Sequence, residues 1–335
     1  MNKDLAVGQV VDTTSFASTI PQVDGLEISR DNILQTVKTM LDGREVRSVH
    51  IEGQSGAGKS ILLAQFAKAH CNRTISVFAR RSSWFTYDPA ILLHDLAAQM
   101  FWLAEGKVPQ FSEEISDVTL RGLLFKLRTY SIRIGKPLIL ILDGISDIPD
   151  DQSDLRRLLM EKLPFGLDYI KLLTSSSPTE CRLTMGVREW LIPPFSAEES
   201  LAYFDGILSP ELVRVVHKTC GGTPGFLAGI RRLVESGIAG NALLAELPNS
   251  VPEIFAIEWR FVDVSNTLLC EALGLLAHDS NKHTLLGLSD ILECRHEQLR
   301  LLLSKLRFIV IPSNDDGEYP SEQSHSFHGT DCVLK

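Results

Sequence analysis

The stretch Gly53-Gln54-Ser55-Gly56-Ala57-Gly58-Lys59-Ser60 fits the phosphate-binding pattern GxxxxGK[ST] at every fixed position. Its glycines let backbone N–H groups turn inward around phosphate oxygens, and the helix that begins near Ser60 adds partial positive charge. Lys59 would neutralise the β- and γ-phosphate oxygens, and the Ser60 hydroxyl suits Mg²⁺, a hard cation that prefers oxygen ligands. We therefore predict a nucleoside triphosphate–Mg²⁺ site lined by Gly53, Gln54, Ser55, Gly56, Ala57, Gly58, Lys59, Ser60 and Ile61.

Strands and helices alternate on both sides of this loop. A strand is predicted over Arg47–Glu52, just before the loop, and a helix over Ser60–Ala69, just after it. The five apolar residues Leu138–Leu142 indicate a strand that is buried on both faces of a parallel sheet. Similar patterns predict further strands at Ile75–Ala79, Ile170–Ser175 and Glu189–Ile192, and helices at 29–42, Pro89–Leu103, Thr119–Ile132 and Asp154–Leu163. The alternation predicts an α/β fold, a P-loop NTPase domain whose parallel sheet is flanked by helices.

Acidic and hydroxyl side chains follow two of the predicted strands. Asp143 comes directly after Leu138–Leu142, where P-loop enzymes carry the acid that holds the Mg²⁺ shell, so Ser60 and Asp143 are the predicted Mg²⁺ ligands. Asp147 is the candidate to polarise an attacking water beside Lys59 and Asp143, and the alternative is that it caps the next turn. Ser175 ends another strand, where ligands of open α/β sheets bind. It would contact the γ-phosphate, or else be an ordinary turn serine.

The base of the bound nucleotide and the cellular location are predicted from motifs that the sequence lacks and from its net charge. The guanine-reading pattern [NT]KxD is absent, because Asn281–Thr284 lacks the aspartate, so we expect ATP and ADP as ligands. The net charge is −9, from 33 Lys and Arg against 42 Asp and Glu, which argues against a nucleic-acid-coating surface. The N-terminus lacks a signal-peptide apolar stretch, and no run reaches the roughly 18 residues of a membrane-spanning helix. We therefore expect a cytoplasmic protein without a membrane span.

The pattern of predicted secondary structure changes after Pro193-Pro194. Residues 197–246 are predicted to be helical, with an interruption at Cys220–Gly225. From about residue 250, short apolar helices precede a predicted strand at Phe308–Ile311 and a polar turn, which is the pattern of a winged helix. The predicted organisation is a flexible arm over 1–23, a P-loop domain over 24–195, a helical domain over 196–248 and a winged-helix domain, complete or truncated, over 249–335.

Several segments outside the loop resemble one group of P-loop proteins. Lys136–Ile145 is similar to the group's Walker B segment, in which a small residue follows the acid. Leu163–Leu167 and Ile170–Pro178 resemble its LP turn and sensor strand, and Pro194–Glu199 resembles the acidic helix start after the core. Gly222-Thr223-Pro224 resembles its Gly-x-Pro element. On these segments the chain resembles the signal-transduction ATPases with numerous domains (STAND), in their NACHT-like branch, whose sheet is of the ASCE type.

The resemblance implies roles for two further residues and for the chain as a whole. Pro224 would lie against the nucleotide, and His328, within Ser326–Gly329, would contact the ADP β-phosphate and close the resting form. The chain would then be a switch that is closed with ADP, opens and oligomerises with ATP to signal, for example in defence, and is reset by slow hydrolysis. A homo-oligomer and a sensor or effector protein are the implied partners.

Three departures from the family pattern leave other functions open. Ser176 stands where the family often has arginine, Ser146-Asp147 replaces its Asp-Glu pair, and Val23–Leu26 replaces its Phe-Gly-Arg entry motif. The first two departures suggest a non-hydrolysing nucleotide-binding scaffold, which an absence of phosphate release would support. A DNA-handling ATPase with a DNA-reading winged helix is the other alternative. The acidic net charge weighs against it, and DNA binding with steep salt dependence would favour it.

Overall fold

Five parallel strands form the central sheet; four of them are largely buried, and the edge strand that ends the sheet on one side is mostly exposed. The computed structural model describes residues 27–43, 45–78, 89–107, 115–144, 167–176, 187–235, 248, 251–260, 262–278, 285–304, 309–310 and 333–334. The strands of the sheet are β1 (Ser48–Glu52), β2 (Thr74–Phe78), β3 (Leu138–Asp143), β4 (Ile170–Ser176) and β5 (Val187–Leu191). Their order across the sheet is β2-β3-β4-β1-β5, and all neighbours are parallel.

The strand order inserts β4 between the two strands that carry the predicted phosphate and magnesium motifs. The strand before the loop, β1, pairs with β4, and β4 in turn pairs with β3. A strand inserted at this place is what an ASCE-type sheet requires. Because side chains alternate between the faces of a strand, the register also decides which residues of the three strands share a face.

Helices cover both faces of the sheet. They are α1 (Asp31–Asp42), α2 (Lys59–Ala69), α3 (Pro89–Glu105) and α4 (Asp117–Ile134). One face packs on α1 and α2 through a buried cluster that includes Leu34, Val37, Val49, Ile51, Leu62, Phe66, Ile139, Ile141 and Leu173. The other packs on α3 and α4 through a cluster that includes Ile75, Val77, Leu92, Leu96, Met100, Leu123, Leu127, Leu138, Leu140 and Leu142. The five apolar residues of β3 are therefore divided between two cores, as a strand buried on both faces requires.

The edge strand β2 is buried, and a side chain of α3 pairs with its backbone. Gln99 accepts a hydrogen bond from Ser76 N at 2.8 Å through Oε1 and donates one to Ser76 O at 2.9 Å through Nε2. The amide thus pairs with both backbone groups of Ser76, as the backbone of a sixth strand would. An edge strand that is capped in this way is protected against pairing with another chain.

A buried arginine ties the start of α1 to the segment after β5. Arg30 donates to Pro193 O and to Pro194 O, both at 3.0 Å, and forms an ion pair with Glu199 at 2.9 Å. Glu199 also accepts from Ser196 N at 2.7 Å, while its own N–H donates to Ser196 Oγ at 3.1 Å. This reciprocal pair is a capping box, which starts the helix α5 (Ala197–Tyr203) where the acidic pattern of the sequence predicts it.

The described chain divides into two compact units. The first consists of Met1–Tyr203 with Thr223–Gly225, and the second of Phe204–Gly222 with Phe226–Lys335. The remaining helices are α6 (Pro210–Cys220), α7 (Pro224–Glu235), α8 (Val251–Trp259), α9 (Thr267–His278), α10 (Leu285–Ile291) and α11 (His296–Ser304). A separate core in the second unit joins Val262 and residues of α9, α10 and α11, among them Leu269, Leu273, Leu288 and Leu303.

The C-terminal region contains a short antiparallel pair of strands. β6 (Ile309–Val310) pairs with β7 (Val333–Leu334), and α11 precedes β6. Residues 311–332 lie outside the described part of the chain. The winged-helix domain and the three boundaries between the four predicted segments therefore stay predictions. Within the described residues, no helix is long and apolar enough to cross a membrane.

The sequence-based element bounds agree with the structure to within about two residues. The N-cap position of α1 is Arg30, which makes no side-chain capping bond. Asp31 accepts a hydrogen bond from Ser29 Oγ at 2.7 Å and lies in the first turn. The helix predicted at Asp154–Leu163 falls outside the described residues.

Candidate functional site

The loop between β1 and α2 is bent by two glycines in the left-handed region. Gly56 has φ 79° and Gly58 has φ 87°, values that a side chain with a Cβ atom rarely adopts. Ala57 N donates to Gln54 O at 3.1 Å, which closes a turn within the loop, and Leu62 N donates to Gly58 O at 3.0 Å, which begins the helix. No side chain caps the start of α2 at Gly58. The first turn of α2 therefore has no side-chain cap, and an uncapped helix start can bind an anion.

Position 53 has too little space for a side chain, so glycine is required there. A methyl group built on Gly53 would lie 2.7 Å from Ile192 Cγ2 and 3.0 Å from Ala57 Cβ. Any other residue would therefore push the loop away from the end of β1. The first glycine of the motif allows close packing, while Gly56 and Gly58 allow the turn.

The ammonium group of Lys59 lies across the loop. Its Nζ donates to Gly53 O at 2.6 Å and to Gln54 O at 3.1 Å. These two carbonyls hold the positive charge beside the backbone that would surround the phosphates. The Ser60 side chain follows on the first turn of α2 and is half-buried.

Asp143 and Ser175 meet at the carboxyl ends of β3 and β4. Asp143 is 5% exposed, and its Oδ1 accepts a hydrogen bond from Ser175 Oγ. Leu142 is the register partner of Thr174, so the next residues on each strand lie side by side and point to the same face. That face is the one covered by α2, because its neighbours Ile141 and Leu173 pack in the cluster that contains Leu62 and Phe66. The buried carboxylate therefore lies on the side of the sheet that carries the loop helix.

A buried polar pair lies on the opposite face, and sequence reasoning missed it. His50 Nδ1 and Thr174 Oγ1 share a hydrogen bond of 2.7 Å between β1 and β4. Burial lowers the pKa of His50, Glu52 and Glu189 raise it, and Lys59 lowers it further. The spacing of His50 three residues before Gly53 gave no signal of this pair, since Thr174 is brought to it only by the strand order.

The segment Thr223–Gly225, here called the Gly-x-Pro segment, lies against the phosphate-binding loop. Gly225 N donates to Gly56 O at 2.7 Å. A methyl group built on Gly225 would lie 2.7 Å from Gly56 Cα, and one built on Gly58 would lie 3.5 Å from Pro224 Cγ. The close approach of the two backbones therefore depends on the absence of a side chain at Gly225.

These residues fit a Mg²⁺-bound nucleotide. A loop with two left-handed glycines, an uncapped helix start and a lysine are the groups that hold phosphates, and one buried carboxylate with one hydroxyl suits Mg²⁺, which keeps several waters. Within the described residues, no group of three or more His, Cys, Asp and Glu side chains could hold a metal ion by itself. The structure thus brings Lys59, Ser60, Asp143, Ser175 and Pro224 to the edge of the sheet where the loop lies. Asp147 and His328 fall outside the described residues.

A comparison with protein families identifies the part of the chain that contains this site. Residues 24–173 match the sequence model of the AAA ATPase domain. No curated protein matches the chain at a significant level. The matched range contains the loop, Asp143 and the strands β1, β2 and β3, and it ends within β4.

Many solved structures are similar to this chain, and three of them illustrate the match. The first is a STAND protein with a tetratricopeptide repeat sensor from Pyrococcus horikoshii, at 15% identity over 89% of this chain and 41% of that chain, with a TM-score of 0.49. A Walker-type ATPase of Pyrococcus abyssi has 16% identity over 85% of this chain and 91% of that chain, with a TM-score of 0.47. The Drosophila ORC bound to DNA has 12% identity over 100% of this chain and 90% of that chain, with a TM-score of 0.37. The chain spans about two fifths of the STAND protein.

Proposed function

We propose, from the match of residues 24–173 to the sequence model of the AAA ATPase domain, that the chain is an ATP-driven switch of the STAND, NACHT-like type. In this proposal it binds ATP with Mg²⁺, hydrolyses it slowly, and opens and oligomerises in the ATP form to signal in the cytoplasm. The observation that carries the proposal is the hydrogen bond from Gly225 N to Gly56 O at 2.7 Å. It joins the phosphate-binding loop to a segment that lies about 170 residues further along the chain.

The loop backbone and Lys59 would bind the nucleotide. The backbone N–H groups of Gly53–Ile61 and the Lys59 ammonium would hold the phosphates, and Pro224 would lie against the nucleotide. The ammonium now bonds to two backbone carbonyls, so it is already held within reach of the loop. A charged partner of this kind contributes more than a neutral hydrogen bond, because its attraction to phosphate acts in a partly water-excluded site.

Hydrolysis would depend on the acids at the end of β3. Mg²⁺, held by Ser60 and Asp143, would neutralise the phosphate charge. The Ser175 hydroxyl fixes one oxygen of Asp143, which leaves the carboxylate in a defined orientation at the end of the strand. Asp147 is the residue that we propose to polarise the attacking water. Ser175 would also contact the γ-phosphate once the nucleotide is bound.

The switch would act through the Gly-x-Pro segment. Thr223–Gly225 belongs to the first unit, while the residues on both sides of it, Phe204–Gly222 and Phe226–Lys335, belong to the second. Any change in the loop backbone at Gly56 therefore reaches the second unit through a covalently continuous chain. With ADP, His328 and the winged helix would close over the nucleotide. The nucleotide can shift this equilibrium only by binding one form more tightly than the other.

The proposal is tested by sizing the purified protein with ADP and with a non-hydrolysable ATP analogue. The wild type should elute as a larger species with the analogue. Gly225→Ala should still bind nucleotide but should lose the size difference, because its methyl group cannot fit against Gly56 Cα. Gly274→Ala is the matched control, since a methyl group there meets nothing within 4 Å.

Two results would reject the switch. One is a size that is the same with both nucleotides in the wild type. The other is a Gly225→Ala variant that changes size as the wild type does. A wild type that binds ATP without releasing phosphate would instead favour the non-hydrolysing scaffold, which Ser176 and the short acid Asp147 also suggest.

A further inference from the structure

Three large apolar side chains stand exposed in a single file along α4. Val118 is 80% exposed, Phe125 is 70% exposed and Ile132 is 71% exposed. They are seven residues apart, so they lie on one side of the helix, and the file is about 21 Å long. The three residues are called here the α4 ridge. The three side chains present apolar surface to solvent along one line of the helix.

The ridge is additional to the core face of the helix. Leu120, Leu123 and Leu127 of α4 are buried in the cluster shared with α3 and the sheet. The helix is also fixed at both ends, because Ser116 caps its start and Gly135, in the left-handed region, ends it. The exposed residues are therefore held on a rigid helix and are not a core face that has lost its cover.

Basic side chains flank the ridge on both sides. Arg121 and Arg128 each lie three residues after a ridge residue and follow one side of it, while Lys126 and Arg133 follow the other. Lys126 bonds to Glu105 at 2.6 Å, and Arg133 lies over the Tyr130 ring at 5.0 Å. No acidic residue occurs between Val118 and Ile134, although the whole chain carries a net charge of −9.

We infer that the α4 ridge is a docking surface for an amphipathic α-helix of a partner protein, with apolar residues at heptad spacing and acidic residues beside them. A file with a seven-residue period is the pattern by which two helices pack side by side. Gly122 and Thr129 lie between the ridge residues and leave gaps into which side chains of such a helix fit. The basic rows select an acidic partner, because charge complementarity sets specificity at the rim of an interface.

Two other occupants fit the ridge less well. A second copy of the same ridge would bring the Arg121 and Arg128 rows of both copies together, and like charges repel. A lipid surface needs a broad apolar face, whereas this one is a single residue wide and is interrupted by small and charged residues. The inference does not depend on the proposed switch, because it rests on residues outside the nucleotide site.

The test measures the binding of two synthetic peptides of about 21 residues by fluorescence anisotropy at low salt. Both have leucine at the ridge-facing heptad positions; one has glutamate at the flanking positions and the other has lysine. The wild type should bind the acidic peptide at least about tenfold more tightly than the basic one. The double variant Arg121→Glu/Arg128→Glu should reverse this preference, and Phe125→Ser should weaken binding of the acidic peptide by about tenfold.

Leu301→Ser is the control, because Leu301 is 63% exposed on another helix and its loss should leave peptide binding unchanged. Circular dichroism and nucleotide binding verify that each variant is folded. Equal binding of both peptides, or binding that Phe125→Ser does not weaken, would overturn the inference. So would binding to phosphatidylserine-containing vesicles that depends on Phe125 in the absence of peptide binding, or self-association that Phe125→Ser abolishes.

Discussion

At the scale of single residues, the polar groups around the loop have specific bonding partners in this structure. Lys59 bonds to Gly53 O and Gln54 O, and Ser175 bonds to Asp143. His50 and Thr174 share a bond on the other face of the same strands. Buried polar groups need such partners, because leaving one unmade costs about 1–3 kcal/mol. Hydrogen bonds within the protein therefore hold these side chains in place without help from a bound nucleotide.

The buried His50 should make the stability of the protein depend on pH. Burial lowers its pKa below the usual value of about 6.5, so the unfolded chain takes up a proton more readily than the folded one. The stability that this provides is complete above about pH 6.5 and is lost as the pH falls. His70 has its pKa lowered mainly by burial as well, with Arg73 and Lys38 adding to the effect, so its contribution has the same sign.

We therefore expect the melting temperature to fall between pH 7.5 and pH 5.5, as measured by differential scanning calorimetry. His50→Gln should make this dependence shallower, because the amide can still bond to Thr174 and does not titrate. His94→Gln, at an exposed position on α3, is the control. A slope that His50→Gln leaves unchanged would show that His50 is not the titrating group.

At the scale of elements, the sheet is the frame on which the site is built. The strands β1, β4 and β3 end beside one another, so the loop, Ser175 and Asp143 meet at one edge. Since neighbouring strands lie about 4.8 Å apart, the backbones of β1 and β3 are about 10 Å apart with β4 between them. The edge strand β2 completes this frame, and α3 protects it through Gln99.

Replacing Gln99 should loosen the edge of the sheet. In Gln99→Leu both backbone groups of Ser76 lose their partner, while the volume of the side chain stays similar. We expect a loss of about 1–3 kcal/mol in local stability. Hydrogen exchange followed by mass spectrometry should show faster exchange in the peptide that contains β2. The control is Gln35→Leu, an exposed glutamine on α1, and equal protection of β2 in all three proteins would contradict the role of Gln99.

At the scale of the whole molecule, the chain consists of two compact units with separate cores. Unfolding of such a molecule need not be a single transition, because each unit can melt by itself. The AAA ATPase match covers residues 24–173 and therefore lies within the first unit. A ligand of the loop should accordingly stabilise the first unit directly.

ATP with Mg²⁺ should raise the melting temperature of the first unit in the wild type. At a ligand concentration about 100 times the Kd, the stabilisation is about 2.7 kcal/mol. Lys59→Ala should abolish this shift, because it removes the charge that holds the phosphates. Lys68→Ala, at the far end of α2 in an exposed ion pair with Glu27 at 3.5 Å, is the matched control and should keep it. Normal ATP stabilisation of Lys59→Ala would reject the nucleotide site.

The loop, the buried strand β3 and the acid that ends it can all be predicted from the sequence. They depend on local patterns: glycine spacing, a run of apolar residues and the residue that follows it. The hydrogen bonds between Ser175 and Asp143, between His50 and Thr174, and between Gly225 and Gly56 become visible only in the folded chain. Each of these contacts joins segments that are distant in the chain, and strand order and register bring them together.

On helix α4, too, the sequence predicts one part of the structure and packing decides the rest. The sequence of α4 places apolar residues on two sides, Leu120, Leu123 and Leu127 on one and Val118, Phe125 and Ile132 on the other. Helical periodicity identifies both sides but not which one packs, because burial depends on what the rest of the chain places against the helix. The structure covers the leucines with α3 and the sheet and leaves the ridge exposed.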